Sequence, residues 1–492
     1  MLETRMEWWM LSALSLVVAL TALSGPALAQ DPPSVQTVNL GDYAKGDGTD
    51  ETEAIQKAFD AFNVRQPNQK HDYEFREQKG VLFIPTPPKF YGISKAISIT
   101  EKANLVIRCE TPVATWLGNA YFQWLGGDEG EMFFFNFCWS LRVENLSLSG
   151  RGKKVTGVQI CDFGRPYALS PDPAAYNHPG AFKSSIFDHL SVEDTAIGVK
   201  IGMDGSGADV ACNSFRDVFI NGFSEYGLVY ATGNGATNTV SDLSLLAKDG
   251  AKEGVRVTGG QLMICNSCLG GGPTKTTGAA VAVYAGGVNI YGAWSEWCGP
   301  FLYGLPQEPI PGSYRGDSNA RFNTILVGIQ HYPGGETQFW RRPDGGENPE
   351  SMNPAPVSVD WDFCEPLTLI NCSFWGGVRL GPNSGCPIID IGTTFSNREC
   401  KRFYGEGIEK YGRLVQLGAV HPDNVRAVEP YVVDRRNTPG TAPPTAGIWK
   451  KGDCIRNTDP DPDVPERAFA GWICIEAGEP GKWAPFGRIE AP

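Results

Sequence analysis

The sequence predicts an all-β solenoid, a stack of short parallel coils. Three observations predict it. Short apolar segments recur along the middle of the chain at a spacing of about 25 residues, as in repeat architectures. Glycine is in excess, with 59 in 492 residues, about 12% against an ordinary ~7%, and no Gly-X-Y period accompanies it. Helical periodicity is almost absent, so the glycines read as tight turns between strands.

Charged residues make up 20% of the chain, below the usual ~25%. With 11% aromatics, that argues against disorder. The net charge of −13 argues against nucleic acid, which needs basic patches to neutralise phosphate. No Gly-x-Gly-x-x-Gly follows a strand and opens a helix, so no dinucleotide cofactor is expected.

Residues 1–29 are expected to be a secretory signal. Arg5 precedes an apolar run from Trp8 to Leu23, and Ala27-Leu-Ala29 supplies the small residues of a cleavage site. A membrane anchor is the alternative, since the run approaches the length of a span. With cleavage, the protein is expected in the periplasm or outside the cell, with no membrane association. All thirteen cysteines follow the signal, and export permits disulfides. Cys454 and Cys474, flanking one short segment, are the expected pair. The odd total leaves one thiol over. Cys265 and Cys268 have CxxC spacing with no second ligand pair nearby, so no metal site is assigned.

One helix is expected, from Asp50 to Phe62. Asp50 and Glu53 have capping-box spacing. Ala54, Ile55, Ala58, Phe59 and Phe62 make one apolar face. Such a helix can cap the open end of a coil stack, where core and strand edges are otherwise exposed.

The repeats follow. Val143-Glu-Asn-Leu-Ser-Leu148, Phe187-Asp-His-Leu-Ser-Val192, Phe215-Arg-Asp-Val-Phe-Ile220, Val240-Ser-Asp-Leu-Ser-Leu245, Ile264-Cys-Asn-Ser-Cys-Leu269 and Leu369-Ile-Asn-Cys-Ser-Phe374 share one pattern. From Phe187 onward the first three spacings are 28, 25 and 24 residues. A second series trails the first: Gly198-Val-Lys-Ile201, Gly227-Leu-Val-Tyr230, Gly254-Val-Arg-Val257 and Ala280-Val-Ala-Val283. Stacking these segments makes a column of Asn145, His189, Asp217, Asp242, Asn266 and Asn371, whose side chains can hydrogen-bond along the stack. His189 is read as a member of that ladder.

The opening segment then carries a resemblance. Val38-Asn-Leu-Gly-Asp-Tyr-Ala-Lys-Gly-Asp-Gly-Thr-Asp50, with Thr52-Glu-Ala-Ile-Gln-Lys-Ala58, resembles the first motif of the pectate-lyase-like superfamily, the group that includes rhamnogalacturonases and polygalacturonases. Gly80-Val-Leu-Phe-Ile-Pro85 and Tyr91-Gly-Ile-Ser94 resemble its next strand pair. The resemblance covers about residues 36–110. It implies a right-handed parallel β-helix over residues 36–435, and enzymes or binders of polysaccharide as a monomer or homotrimer. Gly447-Ile-Trp-Lys-Lys-Gly-Asp453 through Trp483 resembles a small β appendix on such proteins, placing a linker and β module at 436–492. The superfamily's polygalacturonase motifs Asp-Asp, Gly-His-Gly and Arg-Ile-Lys are missing. The one Asn-Thr-Asp, Asn457-Thr-Asp459, lies in the tail. No catalytic residue is carried over, and the resemblance implies calcium only if the chemistry is that of a lyase.

Candidate site residues therefore come from chemistry. Glycoside hydrolysis needs two carboxylates, about 5–5.5 Å apart for retention and about 6.5–9.5 Å for inversion. Asp360 and Asp362 share one face if Val357-Ser-Val-Asp-Trp-Asp-Phe363 is a strand, about 6.5–7 Å apart by strand rise; a solvated strand edge is the alternative. Glu296 stands between Trp294 and Trp297, whose rings can stack on sugars; a buried Trp pair at a turn is the alternative. Glu225 and Glu193 occupy similar corners after strands. His331, Tyr332, Arg341 and Arg342 lie in the Gly-rich stretch 328–347, read as a loop over a groove, with the arginines suited to a carboxylate or sulfate. The expected function is that of a secreted glycoside hydrolase acting on a polysaccharide and using no cofactor. A polysaccharide lyase or a non-catalytic carbohydrate-binding solenoid is the alternative.

Overall fold

A computed structural model describes residues 35–62, 80–112, 119–161, 181–202, 209–232, 235, 237–270, 278–296, 299–305, 323–332, 357–363, 365–384, 388–396, 402–406, 413–417, 431–434, 438–445, 449, 451–465 and 467–490. The expected signal segment lies outside these residues, as do Trp297, Arg341 and Arg342. No helix among the described residues is long and apolar enough to cross a membrane.

The chain is a right-handed parallel β-helix. Each coil contributes three strands, and equal strands of successive coils pair in parallel. The repeated segments stack in the register their sequences suggest. Val143 pairs with Phe187, Phe187 with Phe215, Phe215 with Val240, and Val240 with Ile264. The column continues through Ile290 and Leu326 to Leu369. The second series stacks as Val199, Leu228, Val255 and Val281. We call the sheet built on this second series the first sheet. The second sheet holds the start of each repeated segment and the third sheet its end.

One corner explains why these sequences make coils. Between the second and third sheets a single residue takes a positive φ: Asn145, His189, Asp217, Asp242, Asn266 and Asn371, all between 49° and 59°. Gly292 and Gly328 fill the same corner in the intervening coils, at 65° and 64°. Asn, Asp, His and Gly tolerate this left-handed region better than other residues. The side chains also bond along the stack. Asn145 Nδ2 donates to the Cys109 carbonyl at 3.1 Å, and His189 Nδ1 lies 2.5 Å from Asp217 Oδ2. His189 thus serves the ladder, as its place in the column suggests.

The core is a continuous apolar column inside the coils. Phe187 and Phe215 stack at 4.9 Å between centroids, and Phe135 meets Phe187 edge-on at 5.3 Å. The helix Thr52–Asp60 closes one end, burying Ile55, Ala58 and Phe59, with Phe59 edge-on to Phe133. The capping box does not form. Asp50 Oδ1 instead accepts from Thr52 N and Oγ1, while Oδ2 accepts from Ser94 Oγ at 2.6 Å. The carboxylate is thus spent on tying the helix start to the following coil. At the far end, Arg413–Leu417 pairs antiparallel with Tyr431–Asp434.

A separate four-stranded sheet follows, from Thr438–Gly440, Cys454–Asn457, Phe469–Glu476 and Lys482–Arg488. The expected Cys454–Cys474 disulfide is absent, and no disulfide joins two of the nine described cysteines. Strand alternation is the reason. Ile455 faces Trp472, and Cys474 lies two residues beyond Trp472 on that same face. Cys454, one residue before Ile455, points to the other face. Asn457 Oδ1 accepts from Asp459 N, and Asp459 pairs with Arg467, so Asn457-Thr-Asp459 is a local turn.

His331 departs from its expected place. It lies on the strand Gln330–Tyr332, inside the core and fully buried, rather than on a loop. Its Nδ1 bonds Ser358 Oγ at 2.9 Å and its Nε2 bonds the Gly299 carbonyl at 3.0 Å. Ser358 Oγ also accepts from Gly376 N at 2.8 Å. Burial lowers the imidazole pKa to about 4. An unfolded chain binds a proton near pH 6.5 that the folded one refuses. The stabilisation is therefore complete above pH 6.5 and is lost as pH falls towards 4. The loss is roughly 3 kcal/mol over that window. Unfolding free energies from pH 7 to 4 should fall more steeply for the parent than for His331→Gln; parallel curves would disprove the assignment.

Candidate active site on the first sheet

The first sheet turns a row of side chains outward. In the series Gly-Val-x-Val the valines enter the core, so the variable position faces out. Register aligns these positions as Lys200, Val229, Arg256, Ala282, Tyr303, Asp360 and Arg379. The glycine at the head of each segment is required by close packing. A Cβ on Gly198 would lie 2.3 Å from Ile220, and one on Gly227 would lie 2.7 Å from the Gly254 carbonyl.

Charged and aromatic groups concentrate where three successive coils meet. Tyr226 and Glu253 are register partners. Glu225, one residue before Tyr226, accepts from Lys252 Nζ at 2.9 Å. Glu253 is 4% exposed. It accepts a short hydrogen bond from the Tyr284 hydroxyl and pairs with Arg256 Nη1 at 3.2 Å. The Arg256 guanidinium lies 4.3 Å from the Tyr284 ring centre and 5.3 Å from that of Tyr226. Tyr284 in turn meets Tyr303 edge-on at 6.1 Å.

This setting separates the two carboxylates. Burial pushes the Glu253 carboxyl above its ordinary value, and Arg256 and the Tyr284 hydrogen bond offset only part of that. The Tyr284 phenol is pushed up as well, by burial and by the Glu253 charge beside it. Glu225 is instead held in an ion pair with Lys252. The hydrogen bond to Glu225 raises the Lys252 ammonium and keeps it charged. A carboxyl pushed up by burial thus stands one coil from a carboxylate paired with Lys252. Parallel coils repeat at about 4.8 Å, so the two carboxyls stand on neighbouring rungs.

Asp360 and Asp362 lie farther along the sheet, two residues apart, and both are buried. Asp360 Oδ1 accepts from Arg379 Nε at 2.7 Å, and Arg379 Nη2 lies 2.5 Å from it in the ion pair. Asp362 Oδ1 accepts from Asn383 N at 2.7 Å, and its carboxyl fills the space over Gly381. Arg379 thus pairs with Asp360, while the Asn383 backbone holds Asp362. Glu296 ends the strand Val281–Glu296 on the third sheet, opposite Tyr332. Trp294 on that strand is exposed rather than packed at a turn. Glu193 also lies on the third sheet, with its carboxyl raised to about 7, mainly by burial. Glu225 alone of the candidates joins the first-sheet cluster. Glu253, Arg256 and Tyr284 were not singled out from the sequence; the variable position of the Gly-Val-x-Val series was the signal that marked Arg256. Among the described residues no three His, Cys, Asp or Glu side chains converge to hold a metal.

No family model matches the chain, and no curated relative matches it. Solved structures do. The catalytic unit of a thermostable GH87 α-1,3-glucanase from Streptomyces thermodiastaticus is 14% identical, with 80% of this chain and 69% of that one covered and a TM-score of 0.37. The DFA-IIIase of Arthrobacter chlorophenolicus is 11% identical, with 79% and 92% covered and a TM-score of 0.39. The A-module of the mannuronan C-5 epimerase AlgE6 of Azotobacter vinelandii is 14% identical, with 77% and 99% covered and a TM-score of 0.35. At these identities the likeness is one of architecture.

Proposed function

We propose that this protein is an exported glycoside hydrolase that cleaves a polysaccharide on the outer face of the first sheet. The observation that carries the reading is the unequal pair on adjacent coils, with Glu253 buried and pushed up and Glu225 ion-paired to Lys252. Carboxyl groups whose environments differ in this way divide into acid and base. Protonated Glu253 gives its proton to the glycosidic oxygen as the bond to the anomeric carbon breaks. Glu225 acts on the opposite side of that carbon, as base towards water or as nucleophile. The rings of Tyr226 and Tyr284 and the Arg256 guanidinium bound the space beside the acid.

Mass analysis of products from a panel of neutral and uronate polysaccharides tests the reaction class. Each cleavage is expected to add one water across the two fragments. Unsaturated fragments lacking that water would replace hydrolysis with elimination. The α or β form of the first-released sugar then reports whether Glu225 acts as nucleophile or base.

A further inference from the structure

The third sheet carries a second feature, outside the proposed catalytic cluster. Nine large hydrophobic side chains are exposed among the described residues. Three of them, Trp294, Tyr332 and Trp375, stand on three successive coils of this sheet, and Tyr291 stands across the Gly292 corner on the second sheet. Trp294 pairs in register with Gln330, and Glu296 with Tyr332. His331 pairs with Phe374, and Trp375 N donates to the His331 carbonyl at 3.1 Å, placing Trp375 on the rung after Tyr332. Ala293, His331 and Phe374 fill the core beneath them. The rings therefore stand outward by strand alternation, and each keeps 36–43% of its surface in water.

The chemistry of the row selects its ligand. Every exposed apolar group in it is an aromatic ring, and aromatic faces suit the C–H faces of sugars. Glu296, Gln330 and Ser373 stand among the rings and offer hydrogen-bonding groups to hydroxyls. No Lys or Arg lies at any of these register positions, and Glu296 is the one carboxylate. With one carboxylate and no cation at these positions, the flank offers a polyanion no ion pair and suits an uncharged polymer. Tyr332 and Trp375 stack in one column at about 4.8 Å per rung, with Trp294 on the preceding rung two residues to one side, so the row runs obliquely along the solenoid as an extended chain can.

We propose that the third-sheet row formed by Trp294, Tyr332 and Trp375 is a non-catalytic binding strip for an uncharged polysaccharide chain. It holds the polymer on a face of the coil other than the one that carries Glu253. The strip does not depend on the hydrolase reading, because retention on polymer is measured without turnover.

Depletion of the full-length protein from solution by insoluble neutral glucan and xylan, with polygalacturonate gel as the anionic comparison, tests this. The parent protein is expected to be retained on a neutral polymer. The triple variant Trp294→Ala, Tyr332→Ala, Trp375→Ala should lose at least tenfold in affinity with an unchanged circular-dichroism spectrum. Trp375→Phe should keep most of the affinity. Equal retention of parent and triple variant would overturn the proposal, as would retention of the parent on the anionic gel alone or on no polymer. Loss of a dimer or trimer by the triple variant in sedimentation, with retention unchanged, would make a second copy of the chain the occupant and overturn it too.

Discussion

Glu253→Gln is expected to lower kcat on the polysaccharide substrate by about 10²–10⁴-fold, the range that a positioned general acid contributes. The substitution is nearly isosteric with the protonated carboxyl that burial favours at this position. The amide oxygen still accepts from the Tyr284 hydroxyl, so the melting temperature should change little. That separation of activity from stability is what distinguishes a proton donor from a structural carboxylate. The pH profile gives a second readout. An acid must be protonated to act, so kcat/KM falls as pH rises through its pKa. With that pKa raised, the parent should stay active to higher pH than an ordinary glutamic acid allows. Glu225→Gln should remove the opposite limb, on which activity is lost as pH falls. Retention of more than half the parent turnover by Glu253→Gln would exclude it as the acid, and substrates with a good leaving group should be the least affected.

The coils were legible in the sequence because their determinants are local. An inward apolar residue, one left-handed corner and a glycine pressed against the core recur at nearly constant spacing. Asn145, Asp242 and Asn266 announce that corner by residue type. The outer face follows no such rule. Arg256, Tyr303 and Asp360 occupy one column, yet they are separated by connections of unequal length, so their adjacency follows only from the register. Parity decides the remaining cases. His331 sits between two outward residues in a glycine-rich stretch, where three residues of alternation are too few to reveal a strand. Cys454 and Cys474 flank a segment of hairpin length, yet an offset of one residue puts them on opposite faces. Glu225 was recognisable as a corner acid. Its partner Glu253 was not, because burial of an outward-facing carboxyl is a property of the folded chain.

Arg379→Met should be the most damaging single change among the polar positions of the first sheet. It leaves the Asp360 carboxylate, 1% exposed, without its guanidinium, and removing one member of a buried pair costs about 3–5 kcal/mol. The expected result is a large fall in the denaturant midpoint, monitored by the fluorescence of Trp361, whose neighbour Asp360 is. The double variant Asp360→Leu, Arg379→Met should recover most of that loss, since replacing both partners by apolar groups of similar volume is often neutral. Recovery would show that the pair orients this end of the sheet without supplying net stability. If the single variant were as stable as the parent, the Asp360 charge would not depend on Arg379, and the carboxylate would again be a candidate for chemistry. The contrast with Glu253 lies in the partner. Arg379 reaches Asp360 with two nitrogens at 2.7 Å and 2.5 Å, whereas Arg256 meets Glu253 at 3.2 Å and divides its guanidinium with two aromatic rings. In the proposed mechanism the loosely matched one, Glu253, buried beside the Tyr284 phenol and pushed up by that burial, is the proton donor.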